Sequence, residues 1–332
     1  MHRLFAPVLG VGVVLVMAQA SAAQALSLYD PYPLGSNPPA SGEYVEGSIR
    51  TQGPAINGYA AGSVWGGNSS NFLVTSGSLS GGTGGKVQIL GVTRPDPAGS
   101  DLTRYVVRNL ASNSSSVYYM GGLVNRGSGQ GSGEQLAAVN AGSFALTGFM
   151  NEGQENVKLQ GTGGGAGNMF GLTWGFGGNA QGNYDLILRH RRRETDGSAN
   201  IQPFNDVLLA NAAAETSYRV VLKFELNANA PNGTRGNDGV TYWIGATDGS
   251  FDVSSESAAT ASALASGRLD SFGFNTASDL TRAVFAQYQY EATSAYFDEN
   301  AIGATFASVV PEPASLGLLG LAGLALIRRR SR

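Results

Sequence analysis

Cysteine is absent, so no disulfide can staple the chain and no thiol can act as nucleophile or soft metal ligand. Histidine is nearly absent. His2 and His190 are the only two, and His2 lies at the extreme N-terminus, so a metal site built from several imidazoles is excluded. Charge is sparse, at 14% of residues. Setting aside the charges of the two ends (Arg3, Glu312, Arg328, Arg329, Arg330 and Arg332) makes the body about −7, against −3 for the whole chain. Phosphate binding needs a basic field, so nucleic acid is excluded as a partner. Long amphipathic helical patterns are missing, and so is any repeat of fixed period.

What is present is apolar material in short runs. Hydrophobic residues make up 42% of the 332, and 48 glycines punctuate them. Such a chain can build a core, and the pattern reads as all-β with many turns. Tyr218 to Leu226 is the clearest strand. Tyr218, Val220, Leu222, Phe224 and Leu226 fall on one face, and Arg219, Lys223 and Glu225 on the other, with Val221 among them. Tyr105–Asn109, Val117–Val124, Phe144–Phe149, Phe170–Phe176, Tyr184–Arg189, Val240–Ile244, Ala283–Tyr290 and Tyr296–Ile302 read as further strands. Gly182-Asn183, Asp196-Gly197, Asn232-Gly233, Asp238-Gly239 and Asp248-Gly249 supply turn chemistry between them. Ser257 to Ser266 has the Ala/Ser content of a helical turn or two. Pro31 to Gly85 carries Tyr44, Tyr59, Trp65 and Phe72 among Gly, Ser, Asn and Pro, and reads as irregular strands and loops of the same domain.

The two ends follow other rules. Arg3 precedes an apolar run from Leu4 to Met17, and small residues follow it. Residues 1–25 therefore read as a signal helix for signal peptidase, with Ala23 and Ala25 at the positions where that enzyme needs small side chains. At the other end Pro311-Glu312-Pro313 precedes an uncharged stretch from Ala314 to Ile327 and then Arg328-Arg329-Arg330. The prolines hold the backbone extended, the apolar stretch partitions into a bilayer as a single short transmembrane helix, and the arginines stop transfer on the cytoplasmic side. This order resembles the PEP-CTERM family of sorting tails. The resemblance implies cleavage near the motif by an exosortase, a transient inner-membrane intermediate, and delivery to the outer surface or extracellular matrix of a Gram-negative bacterium that makes exopolysaccharide. The domains expected are 1–25, a sandwich over 26–308, and a tail over 309–332.

The stretches Gly182–Arg192, Ser217–Asp252 and Ala295–Pro313 resemble the concanavalin-A-like, or laminin-G-like, jelly-roll β-sandwich. Retaining glucanases of that fold carry Glu-x-Asp-x-x-Glu on one strand, which sets acid and nucleophile about 5 Å apart. No such string occurs here. Glu152 and Glu155 sit in a Gly/Asn-rich stretch that reads as a loop. His190 lies among Arg189, Arg191, Arg192 and Arg193, whose charge disfavours the imidazolium that acyl transfer needs. That run reads as a solvated strand end, or as a contact for acidic polysaccharide or lipid headgroups. No cofactor is expected. Calcium has weak candidates in Asp238, Asp248 and Asp252, loop acids beside the Trp243 strand. The function expected is a non-enzymatic envelope or matrix protein associated with exopolysaccharide. The alternative is a lectin-like carbohydrate-binding module, which a line of exposed Trp or Tyr on one sheet face would favour.

Overall fold

The computed structural model describes residues 28–35, 41–67, 69–79, 84–90, 104–111, 115, 117–127, 144–150, 171–179, 183–193, 201–225, 238–272, 280–288 and 294–310. The expected signal helix and tail helix lie outside these residues. Among the described residues no helix is long and apolar enough to cross a membrane.

The described chain is nearly all β. Five short strands come first: β1 (Leu28–Asp30), β2 (Gly47–Ser48), β3 (Gly66–Gly67), β4 (Phe72–Ser76) and β5 (Gly85–Ile89). Longer strands follow as β6 (Arg104–Asn109), β7 (Val117–Arg126), β8 (Phe144–Met150), β9 (Gly171–Gly178), β10 (Tyr184–Arg193), β11 (Ile201–Leu209), β12 (Ser217–Glu225) and β13 (Asp238–Ala246). Helix α1 (Glu256–Ser262), β14 (Ala265–Phe272), β15 (Arg282–Tyr288), β16 (Ala295–Gly303) and a 3-10 turn at Phe306–Val309 complete it. The nine strands read from sequence all appear, with ends shifted by up to two residues except in Tyr184–Arg189, which runs four residues further to Arg193, and Ser257–Ser266 divides into α1 and the start of β14.

The strands form two antiparallel sheets. The large sheet runs β14-β13-β12-β7-β16-β5-β4-β2, with β1 also paired to β16. The small sheet runs β11-β10-β9-β8-β15-β6-β3. One core joins them: Tyr218, Val220, Leu222 and Phe224 of β12 and Phe72 of β4 share a buried cluster with Val106, Phe149, Leu172, Trp174 and Phe285 of the small sheet. The Phe285 and Phe297 rings meet at 5.9 Å, and Asn300 donates to the Thr147 hydroxyl at 2.6 Å, a bond from one sheet to the other. The arrangement is a β-sandwich.

Both outer faces are covered in part. On the large sheet, Tyr119, Val221 and Trp243 pack with Phe251, Ala259, Phe306, Val309 and Val310. Ser255 caps α1 by accepting from the Ala258 amide at 3.1 Å, which seats Ala259 on that face. The period-two pattern of β12 holds, but its second face is wet only at Arg219, Lys223 and Glu225, while Val221 is fully buried. On the small sheet, Phe144, Leu146, Met150, Ile187, Val284 and Ala286 form a third buried cluster.

Candidate functional site

Three places combine chemistry with defined geometry. The first is where the sandwich meets the tail. After β16 the Thr305 hydroxyl accepts from the Ser308 amide, and the Ser308 hydroxyl accepts from the Thr305 amide, both at 3.3 Å. This reciprocal box turns the chain back onto the large sheet. The Phe306 ring stands edge-on to Trp243 at 5.5 Å and to Tyr119 at 6.2 Å. Val309 is fully buried and Val310 nearly so. Trp243 is itself fixed, its indole N–H donating to the Thr260 hydroxyl at 2.8 Å. Pro311, Glu312 and Pro313 come next in sequence. They lie outside the described residues, as do Arg328, Arg329, Arg330 and, at the other end, Ala23 and Ala25.

The second is a sealed polar centre around Asp30. Its carboxylate accepts from the Tyr44 hydroxyl at 2.7 Å, the Tyr59 hydroxyl at 3.0 Å and the Tyr32 amide at 3.0 Å. Trp65 donates to the Tyr44 oxygen at 3.1 Å, and Arg108 donates to the same oxygen at 3.3 Å. Arg108 also donates to the Pro54 carbonyl at 2.5 Å and stacks 3.8 Å from the centre of the Tyr59 ring. Burial pushes the Asp30 carboxyl up, against the pull of the tyrosine hydroxyls, the Tyr32 amide and Arg108. The three tyrosines are pushed well above their ordinary range, first by burial and then by the Asp30 charge. Asp30, Tyr32, Tyr44 and Trp65 have no exposure, so the centre fastens the early segment to β6 and cannot meet a polymer.

The third is the bulge in β16. Between Asp298, opposite Leu123, and Ala301, opposite Gly121, two residues face one on β7. Gly122 permits this, because a Cβ there would stand 2.8 Å from the Asn300 side-chain oxygen. Glu299 takes a left-handed backbone with φ of 53° and meets Arg219 at 2.7 Å. Asp298 is fully buried and accepts from the Ser78 hydroxyl at 2.6 Å, the Leu79 amide at 2.8 Å and the Glu299 amide at 2.7 Å. Burial nevertheless outweighs these bonds and pushes its carboxyl up to about 6. Tyr29, beside these acids, is raised by burial first and by Glu299 and Asp298 next.

Other residues singled out from sequence are placed as follows. Asp248 accepts from the Ser250 amide and hydroxyl at 2.9 and 2.6 Å, and Asp252 accepts from the Ser254 amide at 2.9 Å. These are local turns in an exposed loop, and the hydrogen bonds hold both carboxyls below their usual value. Asp238 begins β13, where only its backbone is described. Among the described residues no three metal-ligating side chains gather. His190 pairs with Leu172 and Phe204 in β10, so the arginine run forms the C-terminal end of that strand, as read from sequence. Arg189, just before it, lies 4.5 Å over the Phe144 ring and donates to Asn205 at 2.7 Å. Glu152 and Glu155 lie outside the described residues. All three tryptophans are buried, and among the described tyrosines Tyr29 alone reaches 37% exposure, so no aromatic line marks either sheet face there. Sequence reading missed Asp30, Asp298 and Arg219–Glu299 as centres. The Asp-Glu-Asn run in β16, where a polar stretch interrupts a buried strand, was the signal available for the last two.

The PEP-CTERM protein-sorting motif matches residues 309–331, so the chain carries an exosortase sorting tail and is an exported protein that passes through a membrane-anchored intermediate. No curated protein matches the chain in sequence. Among solved structures it is similar to the alginate lyase Aly36B, at TM-score 0.47 and 14% identity, over 85% of this chain and 98% of that one. It is similar to an endo-β-1,4-glucuronan lyase from the fungus Trichoderma reesei, at TM-score 0.43 and 12% identity, over 80% and 96%. It is also similar to lectin II from Ulex europaeus, at TM-score 0.39 and 8% identity, over 74% and 95%. The expectation that the body is not an enzyme is corrected here, because the sandwiches it resembles include lyases beside lectins. Lack of the glucanase string had ruled out one catalytic design on such a sandwich, not catalysis.

Proposed function

We propose, taking the sorting tail as premise, that this protein is delivered by exosortase processing to the outer surface or extracellular matrix of a Gram-negative bacterium, where its sandwich engages exopolysaccharide. The observation that carries the reading is the junction: the matched motif begins at Val309, a residue buried in the folded body. The first residues of the matched motif are thus part of the folded body, and what the tail sorts is a folded β-sandwich. We read that domain as a concanavalin-A-like jelly roll over 26–308, preceded by a signal peptide at 1–25 and followed by the tail at 309–332. The mildly acidic body supports a partner other than nucleic acid. The basic strand β10 supports an acidic glycan, with Arg189 held by Phe144 and Asn205 and followed in the strand by Arg191 and Arg193.

The test is made on the surface form from the native host. Replacing Pro311-Glu312-Pro313 with alanines is expected to leave export intact and trap full-length protein in the inner membrane. Secretion of that variant to the surface, tail removed, would overturn the sorting part. Purified surface protein is then incubated with the host's exopolysaccharide and with neutral and polyuronate polymers. Retention on acidic polymer supports engagement, and the appearance of new chain ends distinguishes cutting from holding. Repeating the assay with calcium and with a chelator tests Asp238, Asp248 and Asp252. Neither retention nor new ends on any polymer would overturn the carbohydrate part.

A further inference from the structure

The segment before Pro311-Glu312-Pro313 is a packed part of the sandwich, not a spacer. Phe306 is wedged against Trp243 and Tyr119, and Val309 and Val310 close the same cluster. The Val309 carbonyl passes 3.6 Å from where a Cβ on Gly121 would stand, so the segment lies directly over β7. A cleaving enzyme takes its substrate in extended form and needs several residues on both sides of the bond free of other contacts. Any bond from Phe306 to Val310 meets that need only if three apolar side chains leave the sheet.

We infer that the folded sandwich sets the upstream limit of tail removal. The scissile bond lies far enough beyond Val310 for the residues the enzyme holds on its N-terminal side to come after the buried segment, and the mature protein keeps Phe306–Val310 as the staple that seals Trp243. This rests on the reading of residues 309–331 as a processed sorting tail. The step is hydrolysis of one peptide bond: water gives its hydroxyl to the acyl carbon on the sandwich side and a proton to the released amine of the tail. The folded body blocks the enzyme's approach from the N-terminal side and so limits where the bond can lie.

The C-terminal peptide of the surface form, read by mass spectrometry from the native host, tests this. The expected wild-type terminus retains Val310. In Phe306→Ala, and in the milder Val309→Ala should the first fail to fold, local opening is easier, and the share of termini upstream of Val310 is expected to rise on the order of tenfold. A wild-type terminus before Val310, with the tail removed, would overturn the inference and leave the sorting reading standing. An unchanged terminus in both folded variants would overturn the shielding. Peptides from Ser315 to Arg332 on the surface form would overturn the sorting reading itself, and this inference with it.

Discussion

Val220 and Val221 are neighbours in β12 and both are buried, but by different means. Val220 lies between the two sheets with Tyr218, Leu222 and Phe224, where strand faces a second layer of strands. Val221 points the other way and is covered by Trp243, Phe306, Val309 and Val310, which belong to β13 and to the chain's return after its last strand. The first burial is a property of the sandwich. The second depends on a short turn and α1 folding back over an otherwise open sheet. Alternation therefore tells which residues share a face, whereas whether that face is dry is decided by segments far away in sequence.

Substitutions on the two faces should separate these cases. Leu222→Ala opens a cavity between two rigid layers and is expected to lower unfolding free energy by about 2–5 kcal/mol, read from denaturant midpoints. Next is the bulge strand. Because the folded Asp298 carboxyl titrates at about 6 rather than 3.8, the folded state holds a proton there that the unfolded chain has released between these values. Its contribution therefore favours unfolding above about pH 6 and fades as pH falls toward the unfolded value. Asp298→Asn, which keeps a neutral side chain, should remove most of this stabilisation on acidification. The difference should be on the order of 2–3 kcal/mol, measured by melting the two proteins between neutral pH and about pH 4, with roughly half of it present by about pH 5. An identical slope in both would show that the buried charge is relieved elsewhere. Val221→Ala, under the movable cap, should cost roughly 1.5 kcal/mol for two lost methyl groups. A cost equal to that of Leu222→Ala would show the cap to be as rigid as a sheet. Smallest is Glu225→Ala. Glu225 pairs with Arg268, and with Lys223 at 3.6 Å, at a partly exposed site. Its loss should change stability by less than about 1 kcal/mol and fade with added salt.

The later strands were legible because each carries its own signal. In β12 the run Tyr218, Val220, Leu222, Phe224 shows period two directly, and every one of the four is buried. The early segment carries no such signal. Its strands are two to five residues long, and β3 is only Gly66-Gly67. Tyr32, Tyr44 and Trp65 nevertheless have no exposure: Asp30 and Arg108 both bond the Tyr44 hydroxyl from distant points of the chain, and Trp65 donates to the same oxygen. Buried polar networks of that kind are set by long-range geometry and leave no periodic trace. The bulge was half legible. Glu299 and Asn300 disturb the alternation of β16, but only the fold shows one partnering Arg219 and the other reaching across to Thr147.

The place of β16 has a consequence for export. It is the last of the described strands in sequence, yet it lies inside the large sheet, hydrogen-bonded to β7, to β5 and to β1, which is the first strand described. A chain threaded from its N-terminus thus releases its keystone last. Until Gly303 has emerged, β14-β13-β12-β7 and β5-β4-β2 are two separate ribbons with facing raw edges, each open to pairing with another chain. Closure of the large sheet therefore waits for the stretch of chain just before the sorting tail.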